Sequence, residues 1–418
     1  QAEPLSPPKK LRLNNLLRGL LAVTQASQQL LDADPAKRLG AAQLLQQKAK
    51  PALLPLLNSH VASERDEQVR SALSLALANL QLVDPDPQVR LQAVRLLGDT
   101  GEPQARARLE TLVKRQLLLG EMLDQAFSGL SLGSILLLAA LGLAITFGLL
   151  GVINMAHGEM LMLGAYSTYL VQVLFQRYAP EALALYPLAA LPVAFFVTAA
   201  IGMALERTVI RHLYGRPLET LLATWGVSLI LIQLVRMLFG AQNVEVANPQ
   251  WLSGGVQVLP NLVLPYSRMV IIGFALFVVA LTWLLLNKTR LGLNVRAVTQ
   301  NRNMAACCGV PTGRVDMLAF GLGSGIAGLG GVALSQIGNV GPDLGQSYII
   351  DSFLVVVLGG VGQLAGSVMA AFGLGIANKL LEPQIGAVLG KILILGLIIL
   401  FIQKRPQGLF ALKGRVID

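Results

Sequence analysis

Thirty-two consecutive residues, Gln125–Ala156, carry neither a charge nor a histidine. About 20 apolar residues suffice to cross a bilayer as an α-helix, so this run is a membrane span with a flank. Further apolar runs follow at Met160–Gln176, Ala182–Leu205, Leu218–Phe239, Met269–Leu286, Met317–Ile337, Tyr348–Leu358, Leu364–Leu380 and Leu389–Ile402. They predict an all-α polytopic bundle of eight or nine spans, with the short Tyr348–Leu358 deciding between the two counts.

Charge separates this body from what precedes it. Residues 1–122 hold 16 Lys+Arg and 12 Asp+Glu, whereas residues 123–418 hold only 17 and 11 over more than twice the length. A soluble-like head, 1–122, therefore precedes a membrane body, 123–418, which excludes a single soluble enzyme. The net charge of +10 does not call for a nucleic-acid partner. Most of the body's cations fall in alternate connections: Arg207, Arg211 and Arg216, then Lys288, Arg290, Arg296, Arg302 and Arg314, then the tail Lys404, Arg405, Lys413 and Arg415. Loops 177–185 and 240–268 carry only Arg177 with Glu181 and Arg268 with Glu245. That alternation marks the cation-rich side, C-terminus included, as cytoplasmic. Counting back through nine spans places the head outside, in the periplasm of a Gram-negative cell; eight spans would reverse it. The start at Gln1 fits a removed signal peptide or a fragment start. Cys307 and Cys308 are adjacent, which suggests neither a disulfide nor a metal site and fits a reducing cytoplasmic face.

Within the head, Leu11–Leu31 and Ala41–Leu57 are helical in period. Gln68-Val69-Arg70 opens an amphipathic stretch continued by Ala72, Leu73, Leu75, Ala76 and Leu80, and Gln88-Val89-Arg90 opens another twenty residues on. The string from Asp84 through Gly98 to Leu109 resembles a HEAT-type repeat, so the head reads as a small helical solenoid. It serves as a docking surface or as a structural appendage.

Several motifs in the body carry polar chemistry. Asn154-Met155-Ala156-His157-Gly158-Glu159 lies between the first two spans; polar groups there line a solute path or merely form a solvated turn. Thr224 and Ser228 share a face of the fourth span, where hydroxyls contact solute or bond back to their own helix. Arg290–Arg314 is basic and helical in period from Asn294 to Cys308, with Ala297, Asn301 and Met304–Ala305 on one face and Gly309 as the stop. It is either a coupling helix for a cytoplasmic partner or an anchoring loop. Gly323–Gly328 has the GxGxxG spacing, but it lies inside an uncharged run with no strand before it, so it is not a dinucleotide site. Gly321, Gly325 and Gly328 instead make a small-residue face for helix contact. Gly386–Lys391 falls one residue short of a phosphate-binding loop, so any ATP hydrolysis belongs to another chain. His157 with Glu159 is the one pair that could serve an enzyme, and two such residues make a thin active site.

Four separated strings carry a resemblance: INMAHGEMLMLGAY (Ile153–Tyr166), RAVTQNRNMAACCGV (Arg296–Val310), VVVLGGVGQLAGS (Val355–Ser367) and RPQGLF (Arg405–Phe410). They are similar to the permease family of high-affinity branched-chain amino-acid ABC importers. LLATWGVSLILIQ (Leu221–Gln233), with Trp225, the tail GLFALKGR and the presence of a head resemble the urea-type branch of that family, the urea ABC transporter permeases. Cys307-Cys308 departs from the bulkier residues expected before Gly309.

The resemblance implies the inner-membrane permease subunit of an ATP-driven urea importer, with a branched-chain amino-acid or short-amide importer as the alternative. An ATP-independent channel is a more distant one. It also implies a second permease chain, two cytoplasmic ATPases and an extracytoplasmic solute-binding protein, with no cofactor, metal or catalytic residue in this chain. Asn154, His157, Glu159, Thr224 and Ser228 are the expected solute path, and Arg296, Ala297, Asn301, Ala305 and Gly309 the expected ATPase contact.

Overall fold

The computed structural model describes residues 15–48, 53–82, 88–89, 92–95, 103–151, 153–259, 262–405 and 407–410. Two compact units divide the chain, Gln1–Leu118 and Leu119–Asp418.

The first unit contains α1 (Asn15–Gln29), α2 (Pro35–Lys48), α3 (Leu54–Ser63) and α4 (Glu67–Gln81). Asp66 starts α4 by accepting the Gln68 and Val69 amides at 3.0 and 3.3 Å, two donors that a helix start otherwise leaves unpaired. Ala26, Leu45, Leu57, Val69 and Leu73 form one buried cluster, so these helices share a core. The expected stretch Ala41–Leu57 is in fact parts of two helices, because Pro55 fits only the first turn of α3. Half of the HEAT-type string falls outside the described residues; within it, Ala93 is buried against Leu75 and Ala78.

The boundary falls within α5 (Pro103–Leu150), and the second unit continues through α6 (His157–Tyr178), α7 (Tyr186–Thr208), α8 (Pro217–Phe239) and α9 (Tyr266–Lys288). Then come α10 (Arg290–Gln300), α11 (Arg302–Cys307), α12 (Thr312–Ser335), α13 (Leu344–Gly359), α14 (Leu364–Ile385) and α15 (Ala387–Lys404). Seven helical segments among the described residues are long and apolar enough to cross a membrane, and they belong to α5, α7, α8, α9, α12, α14 and α15. The two other expected spans are helices as well. The first, α6, has 22 residues but carries His157, Glu159 and Arg177, and the second, α13, has only 16.

Two helices make the centre. The apolar windows of α5 and α12 are 83% and 78% buried, whereas those of the other five are 17–33% buried. Glycines let α12 approach its neighbours: Gly325 packs on Phe195 and Gly321 on Met203, both of α7. A Cβ on Gly323 would stand 2.6 Å from the Gly142 carbonyl of α5. With no hydrophobic driving force between helices in lipid, such close backbone packing supplies much of the association.

One expectation fails in detail: the body is not purely helical. Gly255–Leu259 (β1) and Leu262–Pro265 (β2) form an antiparallel hairpin, Gly255 facing Pro265. Its alternating Val256, Val258, Leu262 and Leu264 suit a strand better than a helix turn.

The short α13 runs beside the C-terminal half of α5. Its first residues, Leu344 and Ser347, line a cavity with Ser128 and Ser131 of α5. Just beyond its end, Gly362 lies against Gly148 in the last turn of α5. Gly360 and Gly362, at φ +99° and +80°, turn the chain there into α14. The Leu409 amide donates to the Leu358 carbonyl at 2.8 Å, which brings the RPQGLF string onto the Gly359–Gly362 turn.

Candidate functional site

The helix α6 begins inside the bundle. After Leu150 the chain leaves helical conformation and folds back, so that His157 lies beside Gly142, the residue that faces Gly323 in the middle of α12. Asn154, His157 and Glu159 are 2%, 0% and 1% exposed. The turn is therefore buried at mid-depth and is not the solvated turn that was one of its two readings. Non-helical backbone at such depth persists only where protein or a wet cavity satisfies it. Here the Ala156 amide donates to Asn154 Oδ1 at 3.1 Å and the Met155 amide to Thr224 Oγ1 at 3.2 Å.

The expected path residues divide into two directions. On α8, Thr224 bonds back to the Thr220 carbonyl at 2.8 Å, as a hydroxyl in a span commonly does. Ser228 does not; its hydroxyl donates to Glu159 Oε1 at 2.9 Å. Asn154, Glu159, Thr224 and Ser228 thus gather where α6 begins against α8. His157 points the other way, its Nε2–H donating to the Ala139 carbonyl of α5 at 3.0 Å. Among the described residues Asn154 Nδ2, His157 Nδ1 and Glu159 Oε2 are buried without a hydrogen-bond partner. Buried polar atoms are seldom left so, and spare donors and acceptors on two faces of one helix start are what a polar solute would use.

A cavity of about 570 Å3 opens beside Ser128 and Ser131, midway along α5, at the end of the bundle where α12 closes and α13 starts. Arg268 at the start of α9, Asp343 before α13 and Lys379 near the end of α14 line it. Its wall adjoins the mid-depth cluster: a Cβ on Gly345 would stand 2.8 Å from Glu159 Oε2. In the sequence Arg268 and Asp343 look like ordinary loop charges, and Lys379 draws no notice. A single cation late in an apolar run was the available signal.

At the opposite end lies the basic segment, and it is not one helix. Asn301 is extended, at φ −156° and ψ 103°, and its Oδ1 accepts the Met304 amide at 3.0 Å as the cap of α11. Asn competes for backbone hydrogen bonds inside a helix and is favoured at a cap, which is why the single helix over Asn294–Cys308 gives way to α10 and α11. The expected common face is lost with it. Arg296, Asn301 and Gly309 are exposed and Ala297 is half-buried, whereas Ala305 is buried among Val295, Val298 and Val315. Gly309, at φ +82°, does end the helix as expected. Leu293 and Met304, each 61% exposed, provide the apolar surface of the segment.

Arg302 ties this segment to the spans. It pairs with Asp316 of α12 and its guanidinium lies 4.8 Å from the ring centre of Tyr214, whose hydroxyl donates to Glu206 of α7 at 3.2 Å. Burial pushes the Tyr214 phenol well above its usual range, and the Asp316 and Glu206 carboxylates push it further. Nothing in the sequence pattern connects these four residues. Their one hint is a carboxylate near the end of each of two apolar runs.

Residues 125–402 match the family described as the branched-chain amino acid transport system permease component. The chain belongs to this family of ABC permeases. The high-affinity branched-chain amino acid transport system permease protein BraD of Pseudomonas aeruginosa is 30% identical over 293 residues, covering 69% of this chain and 95% of that protein. The permease protein LivH of the same kind of system in Escherichia coli is 29% identical over 292 residues, covering 69% and 94%. A ribose import permease of Bacillus subtilis, RbsC, is 30% identical over 104 residues, 23% of this chain and 32% of its own. No solved structure matches. This ABC permease is therefore a multi-pass inner-membrane transport subunit and not an enzyme, and its family works with ATPase and binding-protein partners.

Proposed function

We propose that this permease carries branched-chain amino acids inward as one membrane subunit of an importer. Its partners are a second permease chain, two cytoplasmic ATPases and an extracytoplasmic binding protein. The observation that carries the reading is coverage: relatives named for branched-chain amino-acid transport align over 94–95% of their own length. The ribose relative aligns over a third of its length. In this reading Asn154, Glu159, Thr224 and Ser228 border the solute's route at mid-depth, and His157 fastens α6 to α5. The exposed side of the Arg290–Cys307 segment, with Arg296 and Met304, receives the ATPase, and Arg302 transmits its motion to α7 and α12. The head and the cavity end face outward, and the basic segment and C-terminus face the cytoplasm.

Urea remains the second reading, supported by the Leu221–Gln233 string and the head. Both supports are weak in the fold. Trp225 is 50% exposed on the outside of α8, away from the mid-depth cluster, and the head precedes the family match at residue 125. Reconstitution of the full assembly in proteoliposomes decides between them. Accumulation of radiolabelled leucine, isoleucine or valine that needs ATP and the binding protein is the expected result. Accumulation of urea with no amino acid would overturn it.

A further inference from the structure

We infer that the cavity at the Ser128 end is a binding subsite for a small aliphatic zwitterion, in which Arg268 receives the carboxylate and Asp343 the ammonium. The inference rests on the amino-acid reading above and deepens it. The cavity's 570 Å3 falls in the range of about 300–1,000 Å3 usual for small-molecule sites, ample for an aliphatic amino acid.

Its chemistry is two-signed. Arg268 hydrogen-bonds the Ser128 hydroxyl and has no carboxylate partner among the described residues. An unpaired guanidinium fork in a cavity wall matches a carboxylate in geometry as well as charge. Asp343 holds Arg236 at 2.7 Å through Oδ1 alone, and its side chain is 65% exposed, so the second oxygen is open to an ammonium. Lys379 is already held by Glu382 at 2.6 Å and contributes field more than a contact. Leu132, Ile135, Leu334 and Ile337 supply apolar wall between the charged groups. Ser131 lines the same space with a buried hydroxyl that has no partner among the described residues, one more group awaiting a ligand. Urea, neutral and much smaller, would leave both charges unanswered and the apolar wall wet.

The test uses the full permease–ATPase complex in nanodiscs, without binding protein, and measures competition against tritiated leucine. The competitors are leucine, leucinamide, which lacks the carboxylate, and 4-methylpentanoate, which lacks the ammonium. Each truncated ligand should compete about tenfold more weakly, the worth of one charge-assisted hydrogen bond. In Arg268→Gln, leucine and leucinamide should become equal while 4-methylpentanoate remains weaker than leucine; Asp343→Asn should do the reverse. Arg268→Lys, which keeps the charge, should restore part of the preference for leucine over leucinamide. Wild-type discrimination in both neutral variants, or equal loss of all three ligands in both, overturns the subsite. In that event ATP-driven leucine uptake by the wild-type assembly would leave the importer reading intact. Urea uptake without leucine uptake would remove that reading and the subsite together.

Discussion

Ser228 donates its hydroxyl to Glu159 Oε1 across 2.9 Å, joining the middle of α8 to the first turn of α6, while Glu159 Oε2 has no partner among the described residues. The carboxylate is therefore half-anchored, with its second oxygen turned toward Gly345 at the start of α13. A negative group in the first turn of a helix is also favoured by the backbone dipole.

Replacing Glu159 with Gln keeps the size and the hydrogen-bonding capacity, whereas Leu removes both. At equal membrane expression, Glu159→Gln should retain most of the leucine uptake and Glu159→Leu should lose at least an order of magnitude. Ser228→Ala should fall between them, because an orphaned buried acceptor costs about 1–3 kcal/mol. Wild-type uptake by Glu159→Leu would take this carboxylate off the route.

Ala305 and Met304 separate folding from docking. Since Ala305 is 5% exposed within the chain's own core, Ala305→Asp should lower the permease's melting temperature and disturb ATPase binding only as a consequence. Met304 is 61% exposed, so Met304→Asp should leave the melting temperature unchanged and release the ATPase on washing. Retention of the ATPase by the Met304 variant would move the contact elsewhere.

Arg302→Lys is not a mild change. The Asp316 side chain is 2% exposed and depends on Arg302, which also stacks on Tyr214. Lysine can hold one of these and not both. ATP hydrolysis should continue in the reconstituted assembly while leucine transported per ATP falls several-fold. An unchanged ratio would reduce Arg302 to a local staple.

The chain's two cysteines, Cys307 and Cys308, are both exposed at the end of α11, which makes them a native topology probe. A membrane-impermeant maleimide should label them in inverted vesicles and spare them in intact spheroplasts, while added protease should cut the head from spheroplasts. The opposite pattern reverses the orientation.

In the head, burial tends to raise the Glu64 carboxyl, but the Arg38 hydrogen bond and the Asp66 and Arg65 amides outweigh it and hold it below its ordinary value of 4.5. A depressed folded-state value stabilises above the unfolded value and is lost as pH falls through the folded one. Hydrogen-exchange protection of the α2–α4 amides in the full chain should thus be constant above pH 4.5 and decline below it. Glu64→Gln should flatten that decline; an unchanged decline would assign it to other groups.

Much of this was legible from residue order. The apolar runs announced the spans because a bilayer imposes length and composition on each helix separately. The Gly321–Gly325–Gly328 face announced its partner type for the same reason: close packing needs small residues at helical spacing. The Asn301 break was missed because periodicity averages over a cap, and one capping side chain outweighs several turns of apolar pattern. The cavity was missed because its charges come from α9, the connection before α13, and α14, far apart in sequence, each charge looking like an ordinary residue near a span end.

The sequence by itself determined the family, the membrane class and the apolar stretches that become helices, since these depend on local composition and short strings. The tertiary structure alone decided that α6 starts at mid-depth, that His157 turns from the group formed by Glu159 and Ser228, and that Arg268 and Asp343 face one space. Direction and convergence depend on which helices pack together, and in this bundle glycine-to-backbone contacts such as Gly142 on Gly323 set that packing.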